Sequence, residues 1–242
     1  MFVSVAIAAI AAWVLFRTFQ RISLADVVRS MQSVPVERVL LAGLCVVALY
    51  ILLPAFEIVA VRYVKGYRGL GRPVFTALVA CPIGHAIGGA LLSAGAIRYR
   101  MYRPAGFSAI EIGATILMCT LPAVLAFGWL MDLALVFGAG RLAPVFHVPE
   151  KWLVAAGAVG LIKDVGYLLL VRLRKAPVRL GGWAVNLPTP GMTLLQTAVG
   201  IIDLLLVTCV LYVLMPPSMA LGFLPFLAVY LASMMAGILS HV

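Results

Sequence analysis

The stretch from Val74 to Arg103, VFTALVACPIGHAIGGALLSAGAIRYRMYR, decides how the rest of the chain is read. Residues 74–97 are apolar and long enough for one bilayer crossing, which needs about 20 such residues. Yet Pro82, Gly84, Gly88, Gly89 and Gly95 interrupt the run, and proline and glycine both weaken a helix from within. In hydrocarbon, broken backbone persists only where protein or a water-filled cavity satisfies the freed polar groups. One reading is therefore a re-entrant or broken helix that lines a site. The other is a helix packed tightly against its neighbours through Gly84 and Gly88, a GxxxG spacing.

Around this stretch the composition fixes the solvent. Of 242 residues, 64% are hydrophobic, with 22 glycines besides, and 11% are charged, against about 25% charged in an average soluble domain. A soluble globular protein and a disordered chain are both excluded. The fold reads as an all-α polytopic transmembrane helical bundle, one integral membrane domain over residues 1–242. Its hydrophobic segments number about seven on the spanning criterion: 2–19, 39–64, 74–97, 109–137, 152–171, 192–215 and 219–240. The first has no Lys or Arg before Arg17, whereas a signal peptide opens on basic residues, so it reads as a membrane helix. Cys45, Cys81, Cys119 and Cys209 lie singly in apolar runs and read as packing residues, with no disulfide framework or zinc spacing.

The connections carry their own signals. Phe107-Ser108-Ala109-Ile110-Glu111-Ile112 has the form of a capping box, Ser108 at the N-cap and Glu111 at N3, with a Phe107 to Ile112 hydrophobic staple. Glu111 is thereby a helix cap rather than a functional acid. Residues 172–191 hold Arg172, Arg174, Lys175 and Arg179, then Pro188, Pro190 and Gly191, and read as a surface loop. The net charge of +10 resides largely in such connections, where basic residues set topology and meet anionic headgroups; nucleic-acid binding is not indicated. With Lys163 assigned to the loop after the fifth segment, twelve Lys and Arg fall on one side of the membrane and six on the other. The same division results whether the third segment crosses, with the N-terminus outside, or re-enters, with the N-terminus inside. Charge counting alone leaves the two topologies level.

Chemistry is sought where charge is expensive. Glu57, Asp132, Asp164 and Asp203 fall inside apolar segments, and each costs about 2.5–3.5 kcal/mol at a helix centre. A partner or a wet cavity is expected at each, although Asp132 lies near a segment end and reads as interfacial. Lys163 and Asp164 are adjacent, so on a helix they point about 100° apart and each is expected to find its partner elsewhere. His85 lies in the glycine-rich segment without a second His or Cys at metal spacing; structural hydrogen bonding is its simpler role beside that of proton relay or ligand. No GxSxG, HExxH, P-loop or GxGxxG pattern occurs, so no catalytic residue, metal or cofactor is assigned.

The run Gly88 to Tyr102, GGALLSAGAIRYRMY, followed by Gly106, Ser108 and Glu111, resembles the membrane region of the lysylphosphatidylglycerol synthases, also called multiple peptide resistance factors. Diffuse matches extend the resemblance over the chain from Val39 onward: Tyr50 to Tyr63 around Glu57, Trp183 to Pro188 before Asp203, and the ending Ala236 to Val242. The family usually carries Asp where this chain has Glu57. It also continues past Ser240-His241-Val242 with further helices and, in fused members, a cytosolic aminoacyltransferase domain. The resemblance thus implies the N-terminal part of a larger flippase region, or a short relative, in a bacterial cytoplasmic membrane.

The function it implies is translocation of aminoacylated phosphatidylglycerol, such as lysyl-phosphatidylglycerol, which supports resistance to cationic antimicrobial peptides. Such a lipid presents an ammonium and a phosphodiester. Glu57 and Asp203, with Asp164 third, are the candidates for the ammonium. Arg98 and Arg100, flanking Tyr99, offer guanidinium forks suited to phosphate. Gly88, Gly89 and Gly95 let backbone approach closely, and His85 completes the lipid-binding candidates. The alternatives are a membrane scaffold for a lipid aminoacyltransferase and a translocase of a different lipid. Partners are then the phospholipid, the membrane, a fused or separate aminoacyltransferase and a second copy of the chain.

Overall fold

The apolar runs become helices with little else between them. The computed structural model describes residues 13, 16–17, 32–87, 90–173, 178–180, 183–185, 188–216 and 222–240. The helices are α1 (Val36–Lys65), α2 (Gly71–Ile87), α3 (Ala90–Tyr102), α4 (Ala109–Phe137), α5 (Ala139–Phe146), α6 (Glu150–Leu173), α7 (Pro190–Leu214) and α8 (Phe223–Ser240). A short 3-10 turn, Arg103–Ala105, follows α3. In the connection after α6, two strands, β1 (Val178–Leu180) and β2 (Trp183–Val185), pair antiparallel. That ribbon was missed by the loop reading of 172–191, although the Gly181-Gly182 pair between β-prone residues is a hairpin signal.

Four helices, α1, α4, α6 and α7, are long and apolar enough to cross a membrane, and α8 is a shorter apolar helix. On α1, Val39, Leu40, Leu44, Val47 and Ile51 are all exposed, a continuous apolar surface normal against lipid and abnormal against water. The chain is a multi-pass membrane protein. Two of the seven expected segments are not among these five helices. Segment 2–19 lies outside the described residues apart from three positions, and segment 74–97 is not one helix.

That decisive stretch folds as α2 and α3, a pair of short antiparallel helices. Arg98 Nη2 of α3 lies 3.7 Å from Cys81 Sγ of α2, and the Tyr102 hydroxyl meets Thr76 one turn further along both. With 17 and 13 residues, the helices reach about 25 and 20 Å, each short of a hydrocarbon core of about 30 Å. The pair therefore enters and leaves the bundle at one end. The same end gathers the last turn of α1 and the first of α4, where Lys65 Nζ lies 2.9 Å from Glu111 Oε2. At the other end, Arg38 near the start of α1 donates to the Met215 carbonyl at 3.2 Å, just past α7.

Local chemistry sets the helix ends. Gly66 takes φ 65° after α1, a left-handed turn that returns its N–H to the Arg62 carbonyl. The capping box of α4 forms as expected: Ser108 Oγ accepts from Glu111 N at 3.2 Å, and Ser108 N donates to Glu111 Oε2 at 2.7 Å. Phe107 and Ile112 meet in one buried cluster with Val61 and Tyr102.

Helix α4 is the hub, packing against α1, α3, α6, α7 and α8. Pro122 inside α4 has no N–H to give the Met118 carbonyl four residues back. Gln196 of α7 supplies that bond instead, Nε2 to Met118 O at 3.2 Å. One turn on, Gly200 comes so close that a Cβ there would overlap the Pro122 carbonyl. Leu130 and Ala126 of α4, Leu204 of α7 and Leu227 and Leu231 of α8 close the core beside this contact.

Candidate functional site

Glu57 sits on α1 two turns before its end and is 1% exposed. A carboxylate so placed is tolerable only if its oxygens are filled. Arg98 of α3 does most of this: Nε lies 3.0 and 3.1 Å from Oε1 and Oε2, and Nη2 lies 2.8 Å from Oε2. Tyr102, one helical turn beyond Arg98 and on the same face, donates its hydroxyl to Oε1 at 3.1 Å. The Cys119 thiol of α4 donates to Oε2 at 3.4 Å. Three parts of the bundle, α1, the α2–α3 pair and α4, thus meet on one carboxylate.

This arrangement extends the sequence reading, which gave Glu57 to a lipid ammonium and Arg98 to a lipid phosphate as separate ligands. The two are each other's partners. It also corrects the reading of all four cysteines as packing residues, since Cys81 and Cys119 both touch the pair. Sequence reasoning passed over Tyr102, whose i+4 spacing from Arg98 was the signal available.

The remaining candidates divide. Tyr99 and Arg100 follow Arg98 on α3 and turn outward to the surface. Gly95 is half-buried and faces Ile116 of α4. Asp203 on α7 is half-buried and close enough to Cys81 of α2 and Tyr230 of α8 to act electrostatically on both. His85 belongs to the last turn of α2; its side chain, with Gly88 and Gly89, lies outside the described residues.

Asp164 is away from Glu57, in a second charge cluster. Lys163 Nζ lies 3.0 Å from Asp164 Oδ1 and 3.5 Å from Asp132 Oδ2. Two expectations fail here. Lys163 and Asp164 do pair, because the long lysine arm bends back over the 100° between their Cα directions. Lys163 is a residue of α6, not of the loop after it, while Asp132 is buried in the protein near the end of α4. Among the described residues, no group of three or more His, Cys, Asp or Glu could hold a metal ion.

No protein-family model matches this chain. An uncharacterized protein of Synechocystis is 29% identical over 217 residues, covering 90% of this chain and 67% of that protein. Fold and site together define a multi-pass helical membrane protein with an acid–arginine pair buried where a non-spanning helix pair docks.

Proposed function

We propose that this chain moves a phospholipid bearing both an amine and a phosphate between membrane leaflets, aminoacylated phosphatidylglycerol being the substrate implied by the family resemblance. The observation that carries the reading is the buried Glu57–Arg98 pair on a helix pair too short to span. Ionisable groups within membrane segments mark substrate pathways more often than architecture, and interrupted helices are where transporters build their sites. The pair also suits this substrate: the lipid ammonium replaces Arg98 at Glu57 while the lipid phosphate replaces Glu57 at Arg98. Each buried charge keeps an opposite partner, so the exchange leaves the net charge of the site unchanged. Phosphatidylglycerol, lacking the amine, satisfies only Arg98 and leaves Glu57 bare.

The end carrying this pair holds Arg62, Lys65, Arg68, Arg72, Arg100 and Arg103, against Arg38, Arg141 and Lys151 at the other. By the positive-inside rule the richer end reads as cytoplasmic, which supports loading of the lipid from that side. The bacterial cytoplasmic membrane is the setting this implies.

The test is reconstitution of the chain in vesicles carrying labelled lysyl-phosphatidylglycerol or phosphatidylglycerol, with leaflet accessibility followed over time. Chain-dependent movement of the lysyl lipid, lost in Glu57→Gln, is expected. Equal movement with and without the chain, or full activity in Glu57→Gln, overturns the reading. One observation favours the scaffold alternative: Arg98, Tyr102 and Cys119 together fill both Glu57 oxygens, as in a structural pin. An unchanged leaflet distribution, with loss of aminoacyltransferase activity on deletion of the chain, would select it.

A further inference from the structure

The cluster of Asp132 on α4 with Lys163 and Asp164 on α6 is not used by the lipid site. One ammonium there serves two carboxyls that approach across the α4–α6 contact. The Asp164 side chain is 9% exposed and that of Asp132 12%. The Oδ2 atom of Asp164 is buried with no hydrogen-bond donor, and that of Asp132 is buried with only the Lys163 ammonium near it, at 3.5 Å, beyond a good hydrogen bond.

The two helices are cut away around these groups. A Cβ at Gly160 of α6 would overlap the Asp132 carboxyl, and one at Gly128 of α4 would stand 3.1 and 3.2 Å from the two Asp164 oxygens. Each helix therefore supplies a carboxyl and the notch that receives the other's. Asp164 lies at position fifteen of the 24 residues of α6, about 20 Å along the helix and well inside the apolar span.

Two carboxylates and one ammonium would leave a net negative charge at that depth, with Asp164 Oδ2 facing no donor and Asp132 Oδ2 poorly served by a distant one. A single proton removes both defects: it balances the charge and gives one carboxyl an O–H to donate to the other. The strongest electrostatic influences on Asp132 are Lys163 and Asp164. Tyr167 stands one turn beyond Lys163 on α6. On α7 and α8, packed beside α4, the titratable groups are Asp203, Cys209, Tyr212 and Tyr230; Asp203 acts on Tyr230 and also reaches Cys81 of α2.

We infer that Asp132 and Asp164 form a proton-binding site, holding one proton between two carboxyls at neutral pH, and that its loading and release drive lipid movement. The second clause rests on the translocase reading; the first stands without it. The proton comes from water at one membrane face, bonds to one carboxylate oxygen and returns to water at the other face, with no other bond made or broken. Lys163, its side chain 62% exposed, neutralises the remaining carboxylate and opens the cluster on one side.

Infrared difference spectroscopy of the chain in lipid nanodiscs, titrated from acid to alkaline, tests the site. A protonated-carboxyl band at neutral pH is expected, reduced in Asp132→Asn and Asp164→Asn and unchanged in Glu150→Gln, a substitution at the exposed start of α6. Asp164→Glu keeps the carboxyl and shifts the band, which covers a failure of the Asn variants to fold. A wild type with no band at neutral pH, or a band indifferent to all three Asp substitutions, overturns the site. In vesicles, a gradient of one pH unit is expected to bias the leaflet ratio by up to about tenfold for one proton per lipid. Lipid movement blind to the gradient overturns the coupling and leaves the translocase standing. No movement at all removes the translocase and, with it, the coupling, while the infrared band still decides the proton site.

Discussion

Arg98→Met should destabilise the bundle severely, and adding Glu57→Gln should recover most of the loss. Arg98 provides three of the polar contacts that Glu57 receives, including the shortest at 2.8 Å, leaving the Tyr102 hydroxyl and a thiol after its removal. With Glu57 1% exposed, water cannot replace what is lost. Removing one partner of a buried ion pair costs about 3–5 kcal/mol, which is about two to three and a half powers of ten in the folding equilibrium. Glu57→Gln then removes the stranded charge, and a pair replaced as a unit is often near neutral. The assay is detergent-titrated unfolding in mixed micelles, followed by far-ultraviolet circular dichroism, for both single variants and the double. A loss in Arg98→Met below about 1 kcal/mol, the range of exposed pairs, would refute the reasoning. So would a double variant no more stable than Arg98→Met alone, because the cost would then not come from the bare carboxylate.

Three further outcomes follow from the same geometry. Gln196→Leu strands the Met118 carbonyl beside Pro122 and should lower stability by about 1–3 kcal/mol in the same titration. Gly200→Ala drives a methyl into the Pro122 carbonyl and should cost about 1–3 kcal/mol, whereas Gly43→Ala, with open space around it, should gain about 0.5–1 kcal/mol. For orientation, a membrane-impermeant maleimide applied to intact cells should label Lys151→Cys and reach Arg68→Cys only after the membrane is opened; the reverse pattern would invert the assigned topology.

The long helices were legible because about 20 consecutive apolar residues have few other uses, and the α4 start because its capping box spans four residues, Ser108 to Glu111. The third segment was legible as a break but not as a reversal, since its outcome depends on Arg98 finding Glu57 on another helix. That pairing joins positions 41 apart in sequence and leaves no local trace. The Lys163 error has a different origin. Helical angles describe where Cα–Cβ bonds point, and a flexible four-carbon arm is not bound by them. The burial of Asp132 had no local signal either, because the notch at Gly160 that receives it belongs to α6. The Gln196 bond to Met118 was half-visible: Pro122 announces a carbonyl without a donor, but only the tertiary structure names the donor.

The separation of Glu57 from Arg98 also has a consequence in time. At about 5–20 residues per second, a ribosome takes about 2–8 s to add the 41 residues between them. For that interval α1 holds an acid whose counter-ion has not been made, and the counter-ion then arrives on a helix unable to span by itself. Neither element is at ease in lipid alone, and the closing of the pair settles both. A pause in synthesis between Glu57 and Arg98 would therefore lengthen the exposure of a bare acid to the bilayer, and so act on the yield of inserted protein without altering any contact of the finished one.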